Sequence, residues 1–161
     1  MIVVSDTSVL SNLLQIEKEY LLTRLFQSVF ISPSVNLEMK ASPAFPRFEE
    51  MLKSGMISIK EISDFSLYQR LNEIIDEGEA EAIVLAKELN ADFLLIDERL
   101  GNTIAKQYGL KTTGLLGILI DAKKAGYIPE VKRLVIELRS KTRFRITEEV
   151  FQTVLTLAGE L

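Results

Sequence analysis

Short apolar runs alternate with amphipathic helical segments along the whole chain, and this alternation narrows the fold more than any other feature. The runs IVVS at 2–5, VFIS at 29–32 and FLLI at 93–96 are four residues long and rich in large or β-branched apolar side chains, as is typical of buried strands. Helical spacing of apolar residues is clearest in EAEAIVLAKEL at 79–89. The pattern predicts an α/β fold with a mainly parallel sheet covered by helices on both faces.

The rest of the chain continues this alternation. MISIKEI at 56–62 and LKTT at 110–113 are predicted strands. Apolar residues from Leu10 to Phe26 repeat at helical spacing. Capping and breaking residues predict further helices over 33–40, 48–52, 67–75, 100–108, 115–125, 130–138 and 148–158, with Ser32 and Thr147 as N-caps and Gly109 as a C-terminal stop.

The length of the chain and the lack of an internal linker predict one domain over residues 1–161. No internal repeat, low-complexity segment or linker divides the 161 residues. No apolar run approaches the ~20 residues that cross a bilayer, and the N-terminus MIVVSDTS lacks the basic region of a signal peptide. We therefore expect a cytoplasmic protein without a membrane-bound part.

The chain contains no His and no Cys. Their absence excludes Ser-His-Asp triads, imidazole or thiolate zinc sites, Fe–S clusters, disulfide scaffolds and Cys nucleophiles. An enzyme built from the remaining residues works with carboxylates, hydroxyls, Lys and Arg. Any metal it uses has oxygen ligands, which favour a hard cation such as Mg²⁺ or Mn²⁺.

The net charge of −4 conceals two parts of opposite sign. Residues 99–145 hold 11 Lys and Arg against 3 Asp and Glu, a balance of +8, whereas the remainder holds 8 against 20, a balance of −12. A basic third in an acidic protein suggests an anionic partner, although solvated helix faces explain single Lys and Arg residues equally well. The candidates for contacts with phosphate groups of such a partner are Arg99, Arg139, Lys141, Arg143 and Arg145.

Two aspartates follow predicted strands directly. Asp6 comes after IVVS and Asp97 after FLLI. Sites in open α/β sheets lie outside the carboxyl ends of the strands, so the two aspartates are expected at one edge of the sheet. Either one alone is explained equally well as a helix N-cap.

Two glutamates are predicted to approach the same edge. From Glu79 to Asp97 the chain follows one helix away from the edge and one strand back to it, so the two carboxylates should meet; the alternative role for Glu79 is compensation of the helix dipole. Glu81 lies roughly 200° around the same helix and should not enter the same pocket as Glu79. Glu38 lies on the helix after the second strand, and taken alone it resembles an ordinary surface residue.

Convergence of these side chains would concentrate like charge, which is costly unless cations bind. Such a cluster suits one or two Mg²⁺ or Mn²⁺ ions that activate water for attack on a phosphodiester. The candidate metal ligands and catalytic groups are Asp6, Glu38, Glu79 and Asp97. The candidate polar helpers are Thr7, Ser8 and Asn102, of which Ser8 has a second explanation as a helix cap.

Five motifs occur in a specific order. They are V-S-D-T-S at 4–8, P-S-V-x-x-E at 33–38, G-E-A-E-A-I at 78–83, L-L-I-D-E-R-x-G at 94–101 and G-L-x-x-x-G-x-L-G-x-L at 109–119. In these motifs, and over essentially its whole length, the chain resembles the PIN-domain ribonucleases, in particular a VapC-like branch of predicted nucleases that carries the GEAEAI motif.

The resemblance implies an α/β/α sandwich with a parallel sheet and an acidic pocket that binds Mg²⁺ or Mn²⁺. It places the four carboxylate roles on Asp6, Glu38, Glu79 and Asp97, with Ser8 or Thr7 as a helper. Many relatives outside this branch carry Asp at the position of Glu79. The branch often has Asp-Asp where this chain has Asp97-Glu98, so Glu98 is a candidate additional ligand, as is Glu81. Family members typically act as toxins held inactive by a small antitoxin, and homodimers are common.

These observations together predict metal-dependent hydrolysis of single-stranded RNA that leaves a 5′-phosphate and a 3′-hydroxyl. The basic segment 99–145 is expected to follow the RNA backbone. A covalent Asp nucleophile of the haloacid-dehalogenase type is disfavoured, because Ser8 stands where a second Asp is needed. A phospho-receiver domain is also disfavoured, because this chain lacks the pair of acidic residues that such domains carry before the phosphoacceptor aspartate. An inactive PIN-like module that binds RNA or an antitoxin is the remaining alternative.

Overall fold

Five parallel strands form the centre of the computed structural model, which describes residues 1–161. The strands are β1 (Ile2–Ser5), β2 (Ser28–Ile31), β3 (Ile57–Ile59), β4 (Phe93–Leu95) and β5 (Thr112–Thr113). Their order in the sheet is β3-β2-β1-β4-β5, and all four pairings are parallel. The predicted α/β class with a parallel sheet is confirmed.

The central strand β1 is buried on both faces of the sheet. Val3 pairs with Val29 on one side and with Phe93 on the other. Val3 belongs to the larger hydrophobic core, whereas its neighbour Val4 belongs to the smaller one, because successive strand residues point to opposite faces. Burial on both faces explains why the strand is continuously apolar rather than alternating.

Ten helices cover the sheet, three on one face and seven on the other. The smaller core takes its helical residues from α5 (Phe65–Asn72), α6 (Glu77–Glu88) and α7 (Arg99–Gln107). The larger core takes them from α1 (Thr7–Gln15), α2 (Tyr20–Leu25), α3 (Pro33–Met39), α4 (Phe45–Ser54), α8 (Leu115–Lys124), α9 (Val131–Lys141) and α10 (Glu148–Leu157). The two helical layers and the sheet make the three-layer α/β/α sandwich. None of the helices combines the length and apolarity needed to span a membrane.

The helical boundaries differ from the predicted ones at two places that matter for the site. The apolar repeat from Leu10 to Phe26 is divided into α1 and α2, because the chain turns through a left-handed residue at Glu17 (φ 58°). The helix predicted from Glu79 begins two residues earlier, since the side chain of Asp76 caps it by accepting a hydrogen bond from the Glu79 N–H at 2.9 Å. Gly78 therefore lies inside the first turn of α6.

Glu160 fastens the end of the chain to the start of α9. Its carboxylate accepts hydrogen bonds from the backbone N–H of Val131 at 2.7 Å and of Lys132 at 2.9 Å, and it pairs with the ammonium group of Lys123 at 2.9 Å. Burial acts to raise the pKa of Glu160, but these donors outweigh it and hold the pKa below its usual value. The carboxylate thus satisfies helix N–H groups that have no partner within α9.

Replacement of this carboxylate, Glu160→Gln, should lower the free energy of unfolding by about 1–2 kcal/mol at neutral pH, because charge-assisted bonds to the helix start are lost. The folded-state pKa is depressed, so the stabilisation is present above the usual Glu value of 4.5 and disappears as the pH falls below it. Urea unfolding at several pH values measures both effects. Glu61→Gln, which changes an exposed carboxylate without a hydrogen bond, is the control; an equal effect of both substitutions would contradict the assignment.

Candidate active site

The carboxyl edge of the sheet holds two aspartates, each bonded to the start of a helix. The Asp6 N–H continues the strand by donating to the carbonyl oxygen of Leu95 at 2.9 Å. The Asp6 carboxylate accepts hydrogen bonds from the Val9 N–H at 2.9 Å and the Ser8 hydroxyl at 3.1 Å, which caps α1. Asp97 Oδ1 accepts from the N–H of Leu115, the first residue of α8, at 3.0 Å. Both aspartates therefore make cap-type bonds and also line the edge where we expected the site.

Two glutamates reach the same edge from α3 and α6. Glu38 Oε2 accepts a hydrogen bond from the Thr7 hydroxyl at 2.7 Å, which joins α3 to the first residue of α1. Glu79 lies in the first turn of α6, and its Oε1 is buried without a hydrogen-bond partner. An unpaired buried carboxylate oxygen is costly, and a hydrogen-bond donor or a cation at Glu79 Oε1 would remove that cost.

Three glycines leave the space that three of these carboxylates occupy. A Cβ atom at Gly78 would lie 2.2 Å from Oε1 of Glu38, and one at Gly114 would lie 2.3 Å from Oδ1 of Asp97. A Cβ atom at Gly101 would lie 2.7 Å from Oε1 of Glu79. Any larger residue at these positions would force the acidic side chain to move. These glycines, which belong to three of the sequence motifs, are thus explained by a carboxylate packed against each Cα atom and not by an unusual backbone conformation.

The four carboxylates line one cleft of about 1120 Å³. Thr7 and Ser8 line it too, as does Glu98, the candidate additional ligand. Asp76 is a further acidic residue in the cleft that the sequence reasoning missed; its signal was its position immediately before the helix that carries Glu79. Residues 140–146 form a further wall of the cleft.

Two residues singled out in the sequence have other partners. Glu81 accepts hydrogen bonds from the backbone N–H of Ser34, at 3.2 Å, and from its hydroxyl, and it does not line the cleft. This position agrees with the expected angle of roughly 200° between Glu79 and Glu81 around the helix. The side chain of Asn102 accepts a hydrogen bond from the Thr112 hydroxyl and also lies outside the cleft lining. Glu81 connects α6 to α3, and Asn102 connects α7 to β5.

Burial and like charge act together on the acidic side chains. Burial raises the pKa of Asp6 to about 7, and the charge of Asp97 adds to the shift against the hydrogen bond from Val9. Burial also raises the pKa of Glu79, with further contributions from Asp76, Glu98 and Asp6. The pKa of Asp97 is raised by desolvation of its carboxyl group and by the charge of Glu98.

Glu38 follows the same trend: desolvation raises the pKa of its carboxyl group, and the charge of Asp76 adds to the shift. None of the four ion pairs of the protein includes one of these four carboxylates.

The donor set fits a hard divalent cation in its chemistry. Every candidate ligand is an oxygen, one carboxylate oxygen is buried without a partner, and no basic side chain competes for the site. As the side chains stand, no three acidic residues converge on a single point closely enough to hold one ion. Asp6, Glu38, Glu79 and Asp97 thus line one cleft, and none of them is neutralised by an ion pair.

The candidate RNA contacts separate into different roles. Arg145 folds back, and its Nη1 donates to the carbonyl oxygens of Arg139, Thr142 and Phe144 at 3.2, 3.0 and 2.7 Å. The guanidinium of Arg139 lies over the ring of Phe151, 4.4 Å from its centroid. Arg145 lines the cleft but is occupied by these carbonyls, and Arg139 lies outside the cleft lining.

The other three basic candidates have fewer internal contacts. Lys141 lines the cleft and pairs with Glu137 at 2.7 Å. Arg143 lines the cleft without a hydrogen bond or ion pair of its own. Arg99, the first residue of α7, is exposed outside the cleft lining. Arg143 is therefore the guanidinium best placed to meet a phosphate in the cleft.

A family model described as "PIN domain" matches residues 2–160 of the chain. None of the curated proteins compared with the chain matches it.

The raised pKa of Asp6 predicts that its ionised carboxylate destabilises the fold at neutral pH and above. A raised folded-state pKa means that stability is lost as the pH rises from 3.8 to about 7. Asp6→Asn keeps a side chain that caps α1 but removes the buried charge. The free energy of unfolding of the variant, relative to that of the unsubstituted protein, should therefore increase by on the order of 2–4 kcal/mol between about pH 4 and about pH 8.

Urea unfolding in EDTA checks this prediction, because EDTA prevents a cation from masking the repulsion. Asp121→Asn, which changes an exposed carboxylate on α8, should show no comparable trend. A stability difference for Asp6→Asn that does not change with pH would refute the assigned burial of charge.

Proposed function

Because the chain belongs to the PIN-domain family, whose members are generally nucleases, we propose that it is a metal-dependent endoribonuclease that hydrolyses phosphodiester bonds in single-stranded RNA. The observation that carries this proposal is that four carboxylates line one cleft. Each has a raised pKa, and none is paired with a basic residue. Maintaining such a cluster is costly for the fold, which is expected when its purpose is to bind a cation.

PIN domains generally use divalent metal ions, and Mg²⁺ or Mn²⁺ matches the oxygen-only donor set. We propose Asp6, Glu38, Glu79 and Asp97 as the ligands, with Glu98 as a candidate additional ligand. When bound, such a cation neutralises the carboxylates, lowers the pKa of water and polarises a phosphoryl oxygen.

The protein groups around the carboxylates hold them in position. The hydroxyl of Thr7 donates to Glu38 and that of Ser8 donates to Asp6, so each fixes one carboxylate orientation. The N–H of Leu115 does the same for Asp97. The carboxyl group of Asp6, whose pKa burial raises to about 7, can hold or release a proton near neutral pH, which suits a chain that has no His for this task.

The finer biological setting is proposed on the resemblance to VapC-like nucleases. We propose a single domain over residues 1–161 that acts in the cytoplasm as the toxin of a toxin–antitoxin pair, inhibited by a small antitoxin and assembled as a homodimer. The catalytically inactive alternative, a module that binds RNA or an antitoxin, keeps the same carboxylates as helix caps. Cleavage assays separate the two.

The unsubstituted protein should cleave single-stranded RNA in Mg²⁺ or Mn²⁺ and lose this activity in EDTA. Asp6→Asn and Asp97→Asn should each lower the rate by about 100-fold or more, because each removes a charged candidate ligand. Gel analysis of a 5′-labelled oligoribonucleotide measures the rate and the ends of the products, which are expected to be a 5′-phosphate and a 3′-hydroxyl.

Asp121→Asn controls for the loss of one carboxylate from the exposed surface. Equal activity in all variants, with and without EDTA, would contradict the nuclease proposal. Metal-dependent cleavage that persists in both active-site variants would contradict the assignment of Asp6 and Asp97.

Gly114→Ala tests the close approach of a glycine to a candidate ligand. The backbone of Gly114 is extended (φ −105°) and accepts alanine, but the new Cβ would displace Oδ1 of Asp97. We expect the affinity for Mn²⁺ to fall by about 10-fold, as is usual when support for a ligand is lost. Titration of Mn²⁺ followed by the shift in melting temperature measures it.

Gly117→Ala is the matched control on the same segment, because its Cβ would meet the hydroxyl of Thr113 instead of a carboxylate. Unchanged Mn²⁺ affinity in Gly114→Ala would show that Asp97 does not hold the cation in the orientation described above.

A further inference from the structure

The cleft continues beyond the carboxylates along one face of α1. Ser8, Ser11, Asn12 and Gln15 line it, and their spacing of three and four residues places them on one side of the helix. A helix of nine residues is roughly 13 Å long, so this face leads away from Asp6 for about that distance. The volume of about 1120 Å³ exceeds the ~1,000 Å³ of a large small-molecule pocket. The cleft therefore has room for nucleotides beside the scissile phosphate.

Only one of the four polar side chains on this face is free. Ser8 donates to Asp6 at 3.1 Å, Ser11 shares a hydrogen bond with Ser42 at 2.8 Å, and Gln15 donates to Ser11 at 3.1 Å. The side-chain amide of Asn12 makes no hydrogen bond within the protein, although the residue is half-buried. A primary amide offers a donor and an acceptor side by side, which is the combination that reads the edge of a nucleobase.

The wall formed by residues 140–146 carries the one aromatic side chain among the residues that line the cleft, Phe144. Phe144 packs against the larger core but is only partly buried, and it lines the cleft. Its position is held by the bond from its N–H to the Thr142 hydroxyl at 3.0 Å and by the guanidinium of Arg145 on its carbonyl oxygen at 2.7 Å. A fixed aromatic face is the usual platform on which unpaired bases stack.

We propose that Asn12 and Phe144 form a nucleobase subsite next to the carboxylates. Phe144 stacks on one unpaired base of the RNA, and Asn12 hydrogen-bonds to a base edge, so the two residues set which sequences the protein prefers. The neighbouring Arg143 contacts the backbone phosphate without regard to sequence. This inference rests on the proposed action on single-stranded RNA.

Equilibrium binding tests the subsite independently of cleavage. Fluorescence anisotropy is measured with labelled hexamers of A, C or U and with an abasic hexamer that keeps the ribose-phosphate backbone. Ca²⁺ replaces Mg²⁺, and electrophoresis checks that the oligomers stay intact. Phe144→Leu, which keeps an apolar side chain, should weaken binding of the base-bearing hexamers about tenfold, the loss expected for one stacked base, and leave abasic binding unchanged.

Asn12→Ala should change the ratio of the affinities for the A, C and U hexamers by about threefold or more. It should not lower the melting temperature, because Ala is the better helix former. This variant also keeps the proposal testable if Phe144→Leu does not fold. Arg143→Ala is the matched control from the same wall: it should weaken all hexamers equally, including the abasic one, and reduce the dependence of binding on salt.

The subsite is overturned if Phe144→Leu and Asn12→Ala bind all hexamers as the unsubstituted protein does, or if their losses are equal for the abasic hexamer. Cleavage by the unsubstituted protein in Mn²⁺ is measured separately. Base-dependent binding without cleavage would contradict the ribonuclease proposal and support the subsite, whereas cleavage with unaltered binding by both variants would overturn the subsite alone.

Discussion

The bonds between carboxylates and the N–H groups of helix starts are the interaction on which the carboxyl edge of the sheet depends. Asp6 accepts from the first turn of α1, Asp76 from that of α6 and Asp97 from that of α8. A parallel sheet forces these helix starts to meet at one edge, because every crossover returns the chain to the same end of the next strand. The unpaired N–H groups and the helix dipoles then favour negative charge at that edge.

These hydrogen bonds do not neutralise the negative charge of the carboxylates at this edge. Although the Val9 N–H lowers the pKa of Asp6 and the Leu115 N–H lowers that of Asp97, desolvation leaves both pKa values raised, helped by the charge of Asp97 at Asp6 and by that of Glu98 at Asp97. Glu79 lacks even a hydrogen bond on its buried oxygen. The helix starts thus position the carboxylates, and a residual electrostatic cost persists that only protons or a cation can remove. The two explanations for these aspartates are therefore compatible. Asp6 and Asp97 accept hydrogen bonds from helix starts, and they still carry the negative charge that a metal ligand needs.

Much of this arrangement could be predicted from the sequence because it follows from the backbone path. Strand-end aspartates and a glutamate at a helix start must meet in a parallel α/β fold, and Asp6, Asp97 and Glu79 do line one cleft. The remainder depends on side-chain choices that spacing does not determine. Glu81 turns to Ser34 because a free helix start lies on that side of α6, and Arg145 turns back to the carbonyl oxygens near the end of α9 instead of facing outward.

The cleft itself explains why a net charge of −4 does not argue against a nucleic-acid partner. Acidic residues at the sheet edge and basic residues on the segment 140–146 line the same cleft, so both kinds of charge occur within one site. The bonds of Arg145 show that one guanidinium is used to build this wall, which leaves Arg143 free beside Phe144. A wall stabilised from within keeps its shape when a ligand leaves. The conformational entropy of this wall is then lost mostly during folding. An RNA strand that enters the cleft therefore binds a surface that is already ordered, and less affinity is lost.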